Sequence, residues 1–355
     1  MGQKGLGRGA RRRGEPLPDG RGPAAAQARE RAAQKGERDA FESERLLRRQ
    51  AAVGAEAKEA RFAFTLLSEG RWSVSEMCSA LGVTRQGYHA WRSRGPSGCD
   101  LRDAELAGEI SEVYEASRRI YGAPKVFAEL RRRGERTSRK RAAHIMRENG
   151  WAGTTRGCAK RPKGEARQAA PQANSAPDLV RRDFSADGPD RAWFADITYV
   201  RTHQGWPCLA VVMDIWSRKI VGWSMSARMT AELADDALRM AIVRRRPPGG
   251  CIHHSDHGSQ YVSLLIGKTM REAGIRPSMG SIASPWDNAA MKSLMGLVKA
   301  ECVHARTFET RDQAALEIFD YIECFYNRVR IHSALGNLSP EEFEARHAQE
   351  AASAA

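Results

Sequence analysis

Apolar positions change their spacing along the chain, and the changes mark out its organisation. Residues 1–58 hold few large apolar side chains among many Ala, Arg, Gly and Glu. Such a segment cannot bury enough surface to fold and is expected to be a disordered or fraying charged extension. From 60 to 95 the spacing becomes helical. Ser73-Val74-Ser75-Glu76 has the form of a capping box, with Ser73 as N-cap and Glu76 reaching back. Met77, Leu81 and Val83 are expected to face a small core, Gly82 to turn the chain, and Thr84 to cap a second helix over 85–91. This pattern predicts a helix-turn-helix, with Arg85 and Gln86 at the end of the recognition helix where base edges are met. An ordinary helical hairpin has the same pattern.

Residues 101–157 read as a second helical DNA-binding module. Helices are predicted over 103–117, from Pro124 to Arg133, and over 139–147, the last ending at Asn149-Gly150. Arg139, Lys140 and Arg141 are its candidate phosphate contacts, against the alternative of a solvated helix face. A connector rich in Pro, Ala, Gln and Ser covers 158–182. Over 183–345 the pattern changes again. Three β-rich runs at 193–200, 207–214 and 219–225 are separated by short turns and predict an antiparallel meander. A helix over 230–243, a buried strand at 251–256, a helix over 260–273 and a short strand at 275–278 follow. Helices over 288–302 and 311–328 complete the domain, and 346–355 is a tail.

The net charge of +14 favours an anionic polymer as partner, because clustered Lys and Arg gain from counterion release on DNA. The seven cysteines are odd in number and contain no Cys-x-x-Cys pair, against both a disulfide framework and a zinc site. That usage suits a reducing cytoplasm. No uninterrupted apolar stretch is long enough for a membrane span, and the basic N-terminus lacks the apolar stretch of a secretory signal.

The chemistry is concentrated in three segments: Asp196 in Trp193-Phe194-Ala195-Asp196-Ile197-Thr198, Asp256 closing Ile252-His253-His254-Ser255-Asp256, and Asp287-Asn288-Ala289-Ala290-Met291-Lys292. With the C-terminal run Phe325-Tyr326-Asn327-Arg328-x-Arg330-x-His332-Ser333-Ala334-Leu335, they make the chain resemble DDE transposases of bacterial insertion sequences. The resemblance is to the second-reading-frame type, whose catalytic core is similar to retroviral integrase, and it covers about 60–345. It implies an α/β ribonuclease H-like (integrase core) domain preceded by helical DNA-binding modules. It also implies a polynucleotidyl transferase that binds the terminal inverted repeats of an element and a target DNA, works as a homo-oligomer on bacterial nucleoid DNA, and uses two Mg²⁺ (or Mn²⁺) ions. Asp196 would then contact both ions and Asp256 one. The extension over 1–58 has no counterpart in this family.

One position departs from the pattern. The family carries Glu 36 positions beyond the second Asp, where this chain has Lys292. An ammonium has three donors and no acceptor, so it cannot ligate a metal, and it shifts the local charge by two units relative to Glu. Strand cleavage and strand transfer are therefore expected to be impaired. The alternative is an inactive remnant that binds element ends or inhibits active copies; a stand-alone nuclease of the same fold is a third reading. Glu301 lies on the opposite helical face from position 292, and Asp287 is expected to cap or order the turn, so neither replaces the missing acid. Lys299, two turns on, is a candidate phosphate contact. His253 and His254 point to opposite faces of a strand and cannot share one zinc ion.

Overall fold

The computed structural model describes residues 56–95, 97–154, 176–281, 286–304 and 306–354. Most of the extension predicted over 1–58 and most of the connector predicted over 158–182 lie outside them, while residues 56–58 open the first helix. Two compact units divide near Leu101.

The first unit is built from α1 (Glu56–Leu67), α2 (Val74–Ala80) and α3 (Arg85–Ser93). The predicted capping box is formed: the Ser73 hydroxyl accepts from the Glu76 N–H, and the Glu76 carboxylate accepts from the Ser73 N–H at 3.2 Å. Thr84 caps α3 by accepting from the Gly87 N–H at 3.1 Å. The small core is centred on Phe62, Cys78 and Tyr88, with Val74, Val83 and Trp91 packed against it. Of the predicted core residues, Met77 is buried and Val83 packs in, while Leu81 ends its helix half-buried.

The second unit begins within α4 (Gly98–Ala116) and continues in α5 (Ala123–Arg132) and α6 (Arg139–Glu148). These helices share one continuous core with the domain that follows, in which Leu106, Val126 and Ile145 join Phe194, Ile318 and Phe325. Tyr121 fastens the two parts, its hydroxyl donating to the Val329 carbonyl at 3.2 Å and accepting from the Ile331 N–H at 2.7 Å. The end of the predicted connector is also fastened. Leu179 N–H donates to the Ser278 hydroxyl, Val180 is buried, and Arg182 pairs with Asp287 at 2.7 Å.

A five-stranded sheet in the order β3-β2-β1-β4-β5 carries the site. β1 (Ala192–Tyr199), β2 (Cys208–Asp214) and β3 (Ile220–Ser226) form the predicted antiparallel meander. β4 (Ile252–Ser255) and β5 (Arg276–Met279) add on in parallel to β1, reached through α7 (Ala231–Arg245) and α8 (Leu264–Glu272). Residues alternate across the sheet: Trp193 and Ala195 face the α7–α8 layer, and Phe194 faces the other. Gly222 lets α7 lie on β3, because a Cβ there would meet the Ala237 carbonyl oxygen at 2.2 Å. The second layer contains α9 (Ala289–Val298) and α10 (Arg311–Phe319). Each continues in a wide π-helical segment, Lys299–Val303 and Asp320–Tyr326, so the predicted single helices are compound. The predicted tail at 346–355 is not separate. Helix α11 (Pro340–Ala354) runs through that boundary and carries His347 against Phe343 and Trp216. No helix of the described residues is long and apolar enough to cross a membrane.

Candidate active site

Parallel pairing of β1 with β4 sets Phe194 beside His254. Carried on by two residues, the same register brings Asp196 next to Asp256, the first residue past β4. Both lie on the side of the sheet that faces α9. Asp196 is half-buried and Asp256 exposed. Burial, then the charge of Asp256, pushes the Asp196 carboxyl up to about 6; the Ile197 N–H and the charges of Lys292 and Lys299 pull the other way. Asp256, Lys292 and Lys299 are thus each within electrostatic reach of Asp196.

Helix α9 is tied to the sheet by its first residues. Asn288 donates from Nδ2 to the Ala195 carbonyl at 3.0 Å, one residue before Asp196. Asp287 is buried and accepts from the Ser281 N–H and from Arg182, both at 2.7 Å, while its carbonyl lies 3.1 Å from His254 Nε2. Gly280 allows this, since a Cβ there would sit 2.6 Å from the Asp287 Cβ. Asp287 orders the turn, its carboxylate being taken up by Arg182 and the Ser281 N–H. Lys292 is exposed one turn into the helix, and Lys299 is half-buried at its end. Glu301 is committed elsewhere: its side chain is nearly inaccessible, accepts from Arg330 at 2.6 and 2.7 Å, and accepts from the Tyr321 hydroxyl at 2.7 Å.

Among the described residues no three His, Cys, Asp or Glu side chains converge as a metal site. The charges of Asp256 and Lys292 both act on Asp196. The histidines are structural. His254 is held by Ser278, the Asp287 carbonyl and the Phe194 ring, and His253 points to the other face toward Tyr261. Asp214, buried at the far end of β2, accepts from the Trp216 N–H and the Ser217 hydroxyl and closes a turn. Residues that the sequence pattern did not single out are Asn288, Arg182 and Tyr261. The Tyr261 hydroxyl is buried without a hydrogen-bond partner, and burial followed by the charges of Asp196 and Asp256 raises its pKa. No spacing signal points to a tyrosine in that loop.

The DNA-contact candidates divide. Arg85 and Gln86 are exposed at the start of α3, and Arg139 and Lys140 at the start of α6. Arg141 is half-buried and pairs with Asp103, so it ties α6 to α4 and presents less of its charge outward than its two neighbours.

The raised Asp196 pKa carries a stability consequence. The unfolded carboxyl ionises near 4 and the folded one near 6, so stability is lost as pH rises through that window. In metal-free buffer at pH 7.5, Asp196→Asn should stabilise the chain by about 1–2 kcal/mol after solvent screening, and by nothing below pH 4. Urea melts at the two pH values check this; a variant less stable than the native chain at pH 7.5 would contradict the charge argument.

Integrase core domain families match residues 186–285 and 292–347, and an HTH-like domain family matches 100–158. The transposase InsF for insertion sequence IS3A of Escherichia coli (strain K12) is 38% identical over 287 residues, 80% of this chain and 98% of the relative. An insertion element IS600 31 kDa protein of Shigella sonnei is 38% identical over 282 residues, 78% of this chain and 100% of the relative. The HTLV-2 integrase catalytic core domain, solved in complex with magnesium, aligns with 44% of this chain and 97% of its own at 14% identity and a TM-score of 0.35. With an HTH-like segment ahead of an integrase core and a relative matched over nearly its whole length, the chain belongs to the transposase family of IS3-type insertion sequences.

Proposed function

We propose that this chain is a DNA-binding transposase whose integrase-type site is weakened by Lys292. Its function is DNA binding and DNA transposition by strand cleavage and strand transfer. The observation that carries the reading is the proximity of Asp196 and Asp256 across the β1–β4 pair, on the side of the helix that presents Lys292. Exposed Arg85 and Gln86 would meet base edges, and Arg139, Lys140 and Lys299 the DNA backbone; the expected duplexes are element ends and a target. The work is done in the bacterial cytoplasm, on nucleoid DNA, by an oligomer.

Asp196 and Asp256 fit one divalent cation such as Mg²⁺. Two adjacent carboxylates form a hard-oxygen donor set, and the repulsion between their charges, which adds to burial in raising the Asp196 pKa, would be relieved by a cation. A second ion lacks its acid. When bound, the cation stabilises negative charge that develops on the phosphodiester and on the attacking oxygen. The residues of the chain do the rest. Asn288 and the Asp287 turn hold α9 against β1, and the pairing of β1 with β2 and β4 on either side fixes Asp196. Lys292 attracts the phosphate and repels the cation.

Footprinting and 3′-end cleavage on the flanking inverted repeats, in Mg²⁺ and in Mn²⁺, test this reading. Protection of the repeats with little cleavage is expected. Absence of protection removes the end-binding role, and vigorous cleavage removes the impairment assigned to Lys292.

A further inference from the structure

Helix α9 has a second functional face. Ala290, Leu294 and Leu297 lie on the side away from Lys292 and Lys299, at about 100° per residue, with Ser293 flanking them. That face forms one wall of a cavity of about 340 Å³. Three cationic side chains from separate parts of the fold also line it: Arg218 from the β2–β3 turn, Lys125 from α5, and Arg330 from the chain after α10. Arg330 is neutralised by Glu301. Arg218 makes no ion pair within 4 Å among the described residues. Its backbone is left-handed, at φ +59°, a conformation that costs a non-glycine residue energy and tends to occur at functional sites. The Lys125 ammonium lies over the Tyr121 ring, 4.8 Å from its centroid. His332 is also at the wall; burial, then the charges of Arg330, Lys125 and Arg218, hold it neutral. Ser333 is exposed at the rim and brings a hydroxyl. The cavity therefore joins excess positive charge to hydrogen-bond donors, the combination that binds an anion.

We propose that this cavity seats a phosphate of the DNA backbone, a few nucleotides from the phosphodiester held at Asp196 and Asp256. The proposal rests on the transposase reading above. A helix is about 10 Å across and a DNA strand advances about 3.4 Å per nucleotide, so opposite faces of α9 are about three nucleotides apart. The helix that carries the catalytic position would then also register the strand. Arg218 supplies a planar fork of donors suited to two phosphate oxygens.

The experiment is anisotropy on a labelled duplex of the element end across a salt series, with the full chain and with Arg218→Gln, Arg218→Lys and Lys125→Gln. Side-chain exchange at 218 leaves the hydrogen bond from the Tyr326 hydroxyl intact, because it goes to the Arg218 carbonyl at 3.0 Å. Melting curves confirm folding of each variant. Arg218→Gln is expected to weaken binding about tenfold and to lower the slope of log K against log salt by about 0.9, with Lys125→Gln acting in the same direction and Arg218→Lys keeping the slope. Unchanged affinity and slope in both Gln variants would overturn the proposal and leave the transposase reading standing. Inorganic phosphate or thymidine 5′-monophosphate raising the melting temperature of the native chain but not of Arg218→Gln, with duplex binding unaltered, would assign the cavity to a free anion and also overturn it. A native chain that binds no duplex at all would overturn the transposase reading together with the cavity.

Discussion

Exchange of Lys292 for Glu should raise 3′-end cleavage and strand transfer by about 10²–10³ in Mg²⁺, the worth of several kcal/mol of transition-state charge stabilisation. The substitution removes a group that can only donate and installs a carboxylate that accepts, 36 positions beyond Asp256 as in the family. It costs little in packing, because Lys292 is exposed while Met291, Leu294 and Met295 of the same helix are buried and keep α9 in place. The Asn288 hydrogen bond to Ala195 holds the start of the helix whichever residue occupies 292. A second readout separates metal binding from catalysis. Without metal, a third acid beside Asp196 and Asp256 adds like-charge repulsion, so Lys292→Glu should melt lower than the native chain. Mg²⁺ should then raise its melting temperature more than that of the native chain. The native chain and the variant are assayed side by side on the same repeats. Equal activity in the two would sink the argument about position 292, and another acid would have to complete the site.

The sequence shows the elements of this site better than it shows their supports. Asp196 and Asp256 are legible because each ends or interrupts an apolar run, and because the order of strands and helices fixes which strands become neighbours. Lys292 is legible only through spacing, since a lysine on an exposed helix face is unremarkable by itself. The partners that hold these residues are scattered. Arg182 sits in a stretch that reads as connector, yet it reaches Asp287 across 105 positions. No local period announces such a contact. The same holds for Arg218, whose cavity draws on four distant segments. The helices of 101–157 read as a separate module because their periodicity is self-contained. Their apolar faces complete the core of the domain that follows, as Tyr121 and Val126 show. Periodicity tells which face of a helix is buried and says nothing about what buries it. The helix over 288–302 illustrates a finer limit: its apolar pattern runs on smoothly, but the π-helical segment from Lys299 shifts the later residues around the axis.

Glu301, in that π-helical segment, pairs with Arg330, and the pair should prove the most sensitive polar contact in the second unit. Glu301→Gln is expected to destabilise the chain by about 3–5 kcal/mol at pH 7, because it leaves the Arg330 guanidinium buried without a counter-charge. Both side chains are nearly inaccessible, 6% and 4% exposed, so water cannot compensate. Burial alone would raise the Glu301 pKa, but the hydrogen bonds and charge of Arg330, with the Tyr321 hydroxyl, lower it. A lowered carboxyl pKa contributes stability above the unfolded value, near 4.3, and loses it as pH falls through the folded value. The gap between native chain and variant should therefore be widest at neutral pH and narrow below pH 4. Denaturant melts at pH 7 and pH 3.5 measure it. A gap that stays constant with pH would mean that shape, not charge, makes Glu301 matter. Arg330 also lines the cavity beside Ser293 and Leu294, so unmasking its charge should tighten duplex binding of the folded fraction even as the fold is weakened. Arg218→Gln, by contrast, should affect binding alone.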